Sequence, residues 1–332
     1  MRKNILSIGT GSVAKRHVKN IFKIDKNNKI DVLSKSFRRS KTFCKKFKKF
    51  KIKPIKYCDI DNKNYSHIVI ASNTLSHNKY VKFFAKQKKK IYCEKPLPQD
   101  RHFRFLKTFS KIKKNNENIK IGFQFRFNPA INFLKKELKK SINKNVYLIL
   151  FFSGQNLKDW RKNYNYKKLY SAGKKELAAV HWELCHEIDS LQYIFDKPKK
   201  LFSKLTNTNK LNLKISDVAV TTLKLNNPSI SCVISLEMLS PVLYRKLIVA
   251  TTNNYYELDL VKNIVIKKNK KTFKYTFKKN RNQMFIDYMK YFLSNKKKSK
   301  KFDFATLKDG LNVTQIITTM IKSNKTNKFI NI

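Results

Sequence analysis

Asn4-Ile-Leu-Ser-Ile-Gly9-Thr10-Gly11-Ser12-Val13-Ala14 is the stretch on which the reading of the whole chain turns. An apolar run opens into G-x-G-x-x-A and then into residues of helical spacing, and each small residue has a mechanical reason. Gly9 allows a tight turn out of a strand, Gly11 lets the backbone approach a pyrophosphate, and Ala14 lets helix pack against strand. The N–H groups of the helix start, where Ser12 and Val13 stand, can hold phosphate oxygens. The chain has only six glycines in 332 residues, so two of them at this spacing are not ordinary turn composition. The stretch predicts a strand–turn–helix that binds a dinucleotide.

Apolar runs and amphipathic stretches continue to alternate beyond it. Asn4 to Gly9, Lys29 to Ser34, His67 to Ser72, Lys90 to Cys93 and Lys120 to Phe125 read as strands. Val13 to Phe22 and His77 to Lys88 read as helices, and Ser36 to Phe50 is amphipathic. Such alternation implies parallel strands joined by crossover helices, hence a doubly wound Rossmann sheet over residues 1–121. Past residue 122 the rhythm changes. Asn145 to Phe152, Leu201 to Thr206, Val218 to Leu225, Ile230 to Met238, Leu247 to Ala250 and Tyr255 to Leu260 are strand-like, several of them with no helix between. Helices are expected at Trp182 to Phe195, Arg281 to Ser294 and Asp309 to Lys322, with a loop at Asn295 to Lys301. The fold class is α/β. Residues 122–332 are expected to form a second α/β domain, for substrate binding and oligomerisation, with an open, mostly antiparallel sheet.

Composition bounds the function. No apolar run approaches the eighteen or so residues of a membrane span, and the chain enters a strand pattern too early for a signal peptide. Five cysteines without paired spacing suggest neither disulfides nor a zinc site, so reduced thiols, a cytoplasmic location and no metal are expected. Basic residues outnumber acidic ones by 75 to 21, a formal charge of +54. Nucleic acid is one explanation, but the lysines are spread along the whole chain and no nucleic-acid motif accompanies them. Biased, solvated faces are preferred, with attraction for phosphorylated small ligands compatible with either.

The carboxylate that usually holds a ribose at the end of the second strand is not obvious. Asp31 lies too early, and the strand ends Ser34-Lys35-Ser36 with Arg38 and Arg39 following. A hydroxyl and cations suit a 2′-phosphate, so NADP is favoured over NAD. After the fourth strand, Glu94-Lys95-Pro96 places a cation at the nicotinamide end. Farther on lies Trp182-Glu183-Leu-Cys-His186-Glu187-Ile-Asp189. As one helix it puts Glu183, His186, Glu187 and Ser190 on a single face, and a histidine near a carboxylate is a candidate general base. A metal site using His181, Glu183 and His186 is disfavoured by their spacing.

Together these residues resemble the glucose-fructose oxidoreductase / inositol dehydrogenase (Gfo/Idh/MocA) family. The resemblance runs through Gly9-Thr-Gly-Ser-Val-Ala-Lys-Arg-His17, Ile70-Ala-Ser-Asn-Thr-Leu-Ser-His77, Glu94-Lys-Pro96, Gly122-Phe-Gln-Phe-Arg-Phe-Asn-Pro129 and the Glu183/His186/Asp189 stretch. Gly154-Gln155, Asp159-Trp160-Arg161 and Tyr170-Ser-Ala172 look closest to a subgroup tied to surface-sugar pathways. The resemblance implies an NAD(P)-dependent oxidoreductase acting on a sugar or sugar-nucleotide hydroxyl, and a homodimer or homotetramer. It implies catalytic Lys95 and His186 with Glu183 orienting the base or the sugar. Gly9, Gly11, Ser12, Val13, Ala14, Ser34, Arg38, Ser72, Asn73, His77, Glu94 and Lys95 would bind cofactor. Arg126, Asp159, Trp160, Arg161 and Tyr170 would bind substrate. The chain departs from the family at three places. Glu183 stands three residues before the histidine where many members have Asp four before it. Ala178-Ala179-Val180-His181 replaces a glycine-rich stretch, and Ser72-Asn73 replaces Thr-Pro. A non-catalytic cofactor-binding sensor is the alternative, disfavoured by the presence of both Lys95 and His186.

Overall fold

Strand β1 (Asn4–Ile8) has Ile5, Leu6, Ser7 and Ile8 all buried. A strand closed on both faces belongs at the centre of a parallel sheet, and the computed structural model puts it there. The structure describes residues 3–60, 64–139, 145–160, 164–169, 172–173, 176–278, 280–294 and 303–332. Two compact units divide the chain.

The first unit continues with α1 (Ser12–Ile24), β2 (Lys29–Leu33), α2 (Phe37–Lys45), β3 (Ile52–Pro54), β4 (His67–Ile70), α3 (His77–Lys86) and β5 (Lys90–Cys93). Then come α4 (Phe103–Phe109), α5 (Lys113–Asn118) and β6 (Ile119–Ile121). Its six strands, all parallel, lie in the order β3-β2-β1-β4-β5-β6. The order reverses between β1 and β4, and in open α/β sheets ligands bind outside the strand ends at such a switch point. The expected doubly wound sheet is therefore present. Strand β3 is a three-residue edge strand ending in Pro54, too short for an alternation signal. The strand expected at Lys120 to Phe125 stops at Ile121, and Gln124–Phe127 coils into a 3-10 turn.

The second unit begins at Phe125. Asn128 caps α6 (Pro129–Leu138): its side chain accepts the Ala130 and Ile131 amides, and Pro129 supplies a preset first turn. Strand β7 (Val146–Gly154), α7 (Val180–Glu183) and α8 (Cys185–Phe195) follow. After them come β8 (Lys200–Thr206), β9 (Val218–Lys224), β10 (Ser231–Glu237), β11 (Tyr244–Thr251), β12 (Tyr255–Asp259), β13 (Ile264–Lys268) and β14 (Thr272–Thr276). With β15 (Ile330–Asn331) they form a sheet in the order β14-β13-β12-β11-β7-β10-β9-β8-β15. Only β7 and β10 pair in parallel; every other pairing is antiparallel, as expected. Burial alternates along the strands: Ala219, Thr221, Leu223, Cys232, Ile234 and Leu236 face inward, while Val220 is 44% exposed.

One expected helix is interrupted. Trp182 to Phe195 reads as continuous, but Leu184 (φ −92°, ψ 34°) separates α7 from α8. His181, Trp182, Leu184 and Cys185 are all buried, an arc too wide for the single stripe of an amphipathic helix. The shared face of Glu183, His186, Glu187 and Ser190 is thereby corrected: Glu187 and Ser190 are in the core, whereas Glu183 and His186 stay partly open.

The chain then returns. α9 (Arg281–Leu293) belongs to the first unit, which takes in Asn280–Leu311. There Arg16 of α1 lies over the Phe285 ring, Asn20 and Asn282 pair their amides, and the Tyr288 hydroxyl donates to the Ile121 carbonyl at 2.6 Å. α10 (Leu307–Thr326) closes the α-helical complement, and its Ile316 and Met320 line one small cavity together with Ile188 and Leu191 of α8 and Leu223 and Ile234 of the second sheet. No helix among the described residues is long and apolar enough to cross a membrane.

Candidate active site

The glycine loop has the geometry its sequence demands. Gly9 has φ of +119°, and a Cβ there would run into the Ala71 carbonyl, so only glycine fits. Its amide donates to the Leu33 carbonyl at 2.8 Å, which sets the ends of β1 and β2 side by side. At Gly11 the reason differs. A Cβ would meet nothing within 4 Å, so the space it leaves is outside the protein's own packing. Gly11 caps α1 without a side-chain bond, no acid stands in the first turn, and Ala14 is fully buried against the sheet. A positive helix end and open space at Gly11 fit a dinucleotide pyrophosphate.

Neighbouring strand ends supply the rest of this half. After β4, Ser72 shares a 2.7 Å hydrogen bond with Ser76, and the Asn73 side chain accepts the Ser76 amide. His77 is 1% exposed, with Nδ1 2.9 Å from the Pro96 carbonyl and Nε2 3.2 Å from that of Ser72. Burial holds its pKa below the ordinary histidine value. His77 is thus a brace between two loops, and its expected contact with cofactor is corrected to support from behind.

Glu94 is a brace of the same kind. Its Oε1 receives the Tyr92 hydroxyl at 2.8 Å and the Gln124 amide at 3.4 Å, and lies 2.6 Å from His17 Nε2. Burial pushes its carboxyl up, but the hydrogen bond and charge of His17, the Tyr92 hydroxyl and the charge of Lys95 outweigh that and hold it below the usual value. Lys95 follows, half-buried, at the carboxyl end of β5, with a cis peptide to Pro96. The ends of β1, β4 and β5 are adjacent in the sheet, so Gly9, Ser72 and Lys95 stand along one edge at the switch point.

At the end of β2 the Ser34 hydroxyl is engaged by Ser36 and Ser40. Asp31 is buried and accepts the Tyr65 hydroxyl at 2.8 Å. An open cleft of about 460 Å³ borders Thr10, Ser36, Arg38, Arg39, Thr42 and Lys46.

In the second unit His186 has the Phe125 ring stacked on it, centroids 4.9 Å apart and planes at 29°. The Arg245 guanidinium lies 5.0 Å from the centroid of Phe125, and its Nε reaches Glu187 Oε1 at 3.0 Å. Ser153 donates to the same oxygen at 2.7 Å. A histidine, an aromatic ring, a guanidinium and a buried carboxylate therefore form one rigid stack. Arg245 and Phe125 went unrecognised in the sequence as parts of it. The available signal was that only ten of the 75 basic residues are arginine, and arginine is the cation that stacks and forks.

The expected substrate contacts are placed unevenly. Arg126 is 4% exposed and grips Asp189 twice, Nε to Oδ2 at 2.9 Å and Nη2 to Oδ1 at 2.7 Å. A guanidinium so engaged is part of the core, which corrects its assignment to substrate. Asp159 is exposed on the 3-10 turn Leu157–Trp160, and the Trp160 indole donates to the Gln155 carbonyl at 3.3 Å. Arg161 and Tyr170 lie outside the described residues. His181 is buried, which lowers its pKa to about 4 and marks it as a core residue.

Residues 3–117 match the model of an oxidoreductase family with an NAD-binding Rossmann fold, Gfo/Idh/MocA. No curated protein sequence matches the chain. Among solved structures, levoglucosan dehydrogenase in complex with NADH and levoglucosan is similar over 100% of both chains, with a TM-score of 0.82 at 13% identity. Myo-inositol 2-dehydrogenase from Lactobacillus plantarum is similar over 100% of both chains, with a TM-score of 0.78 at 16% identity. An oxidoreductase from Agrobacterium radiobacter in complex with NAD+, L-tartaric acid and magnesium covers 100% of this chain and 98% of its own, at 0.78 and 13%. These likenesses establish the fold. The family match covers the dinucleotide-binding part alone: over residues 3–117 this chain is similar to the Gfo/Idh/MocA family of NAD-binding oxidoreductases.

Proposed function

We propose that the chain transfers a hydride between a nicotinamide cofactor and a hydroxyl-bearing carbon of a sugar or sugar derivative. The observation that carries this is the row of Gly9, Ser72 and Lys95 on adjacent strand ends: a phosphate cradle and a half-buried cation at the same edge of one sheet. When bound, the nicotinamide ring supplies the hydride acceptor or donor. Lys95 holds the substrate hydroxyl by charge-assisted hydrogen bonding, and its charge favours the ionised form of the buried Glu94 carboxyl beside it. His186 accepts the hydroxyl proton as the carbon gives up its hydride, so the alcohol becomes a carbonyl and one proton is released. Glu183, partly open and three residues earlier, orients the base or a sugar hydroxyl. Asp159, Trp160, Arg161 and Tyr170 are the residues proposed to read the sugar. The substrates named in the similar structures, levoglucosan and myo-inositol, are both polyols, which supports the substrate class. A homo-oligomer in the cytoplasm completes the reading.

The experiment is reduction of NAD+ or NADP+ followed at 340 nm with a panel of sugars, sugar nucleotides and inositols. Lys95→Ala and His186→Ala should each abolish turnover while NAD(P)H binding persists. Wild-type rates in either variant overturn the roles, and dinucleotide binding without turnover on any polyol favours a sensor.

A further inference from the structure

The cleft at the end of β2 separates two dinucleotides that differ by one phosphate. We infer that it is built for the 2′-phosphate of NADP(H), an inference that rests on the dinucleotide reading above and selects between its two cofactors. A bare ribose diol is held by an acceptor at the end of the second strand, an Asp or Glu that takes its hydroxyl protons. Here no carboxylate lines the cleft. Asp31, the acid nearest in sequence, lies inside β2 and already accepts the Tyr65 hydroxyl.

What the cleft offers instead is donors. Arg38, Arg39 and Lys46 line it beside the hydroxyls of Thr10 and Ser36, while the Thr42 hydroxyl there donates to the Arg38 carbonyl at 3.0 Å. The three cations are exposed, and none of them has an ion-pair partner among the described residues. Ser36 Oγ accepts the Arg39 amide as the cap of α2, which leaves its proton for a ligand oxygen. The position is also right. The Gly9 amide bonds to the last carbonyl of β2, so residues just beyond Leu33 adjoin the glycine loop, and Thr10 of that loop lines the same cleft.

Residue choice separates this cleft from the general positive charge. Lysine serves a solvated face, and 65 of the 75 basic residues are lysine. Arginine is used where a fork or a stack is needed: Arg126 on Asp189, and Arg245 on Phe125 and Glu187. Arg38 and Arg39 have no such internal use. Two guanidiniums lining one cleft beside a cap hydroxyl match a phosphate monoester, which takes bidentate donors, and a planar adenine, on which a guanidinium stacks.

The test is isothermal titration of the full chain with NADPH and NADH at about 150 mM salt, where diffuse attraction is weak. NADPH should bind more than about tenfold tighter than NADH, and Arg38→Ala/Arg39→Ala should weaken NADPH more than NADH and so close the gap. 2′-AMP should displace NADPH better than 5′-AMP, which has the same charge but its phosphate elsewhere. Lys107→Ala/Lys111→Ala removes two exposed charges from another part of the first unit and should leave the gap intact. NADH binding as tightly as NADPH, an equal loss in the lysine variant, or no preference for 2′-AMP overturns the inference and leaves the dinucleotide reading standing. Failure of both dinucleotides to bind overturns both.

Discussion

Nε2 of His17 lies 2.6 Å from Oε1 of Glu94. The helix that follows the glycine loop is thereby tied to the strand end that carries Lys95, so one buried contact couples both halves of the cofactor cradle. Removing the imidazole leaves a buried carboxylate short of a partner. His17→Ala should cost about 2–3 kcal/mol in urea unfolding, whereas Glu94→Gln, which keeps shape and removes the charge, should cost less. Glu94→Gln should nevertheless lower kcat, because the Lys95 ammonium loses its neighbouring anion. An unchanged kcat would make Glu94 purely structural.

Gly9 and Gly11 should fail differently. Gly9→Ala forces a side chain into the Ala71 carbonyl at positive φ and should lower the melting temperature. Gly11→Ala meets no protein atom and should melt like wild type. It should still weaken NAD(P)H binding, read by nucleotide fluorescence, by about tenfold or more, if the open space is where the pyrophosphate lies.

Phe125 and Arg245 should act through His186. With the rings 4.9 Å apart, Phe125→Leu frees the imidazole to reorient. We expect kcat to fall about tenfold to a hundredfold with KM and cofactor affinity nearly unchanged, and Phe125→Tyr to restore it. A matching rise in KM with kcat intact would assign Phe125 to substrate binding instead.

Arg126→Ala strands Asp189, which is fully buried, and should destabilise the second unit by about 3–5 kcal/mol. Arg126→Lys should rescue little, since one ammonium cannot make both bonds. A substrate contact would behave in the opposite way, raising KM without moving the denaturation midpoint.

Stability should decline between about pH 6.5 and pH 4. His67 and His181 are buried and neutral, with pKa values lowered by desolvation to about 4, so the unfolded chain binds protons in that window and the folded chain does not. Their contribution is complete above the unfolded pKa and is lost as pH falls toward 4, at up to about 1.4 kcal/mol per pH unit for each histidine. His67→Gln should flatten the melting-temperature profile over that range; an unaltered slope would exclude His67 as a source.

The local sequence determined a great deal here. Gly9-x-Gly11-x-x-Ala14, the strand–helix alternation and Glu94-Lys95-Pro96 announced the first sheet and its phosphate edge, because backbone turns and crossover units are written in adjacent residues. The later strands were legible from alternation, apart from β13 and β14, where lysine and threonine mute the apolar signal, and the two-residue β15, too short to show one. Tertiary structure decided what adjacent residues cannot express. It broke the helix at Leu184, returned α9 to the first unit, and turned Arg126 and His77 from ligand contacts into braces by burying them against Asp189 and two carbonyls. The physical reason is that a polar side chain looks alike in sequence whether it faces a ligand or a buried partner. Only long-range packing fixes which of the two satisfies it, and for Arg38 and Arg39 the fold leaves that place to a ligand.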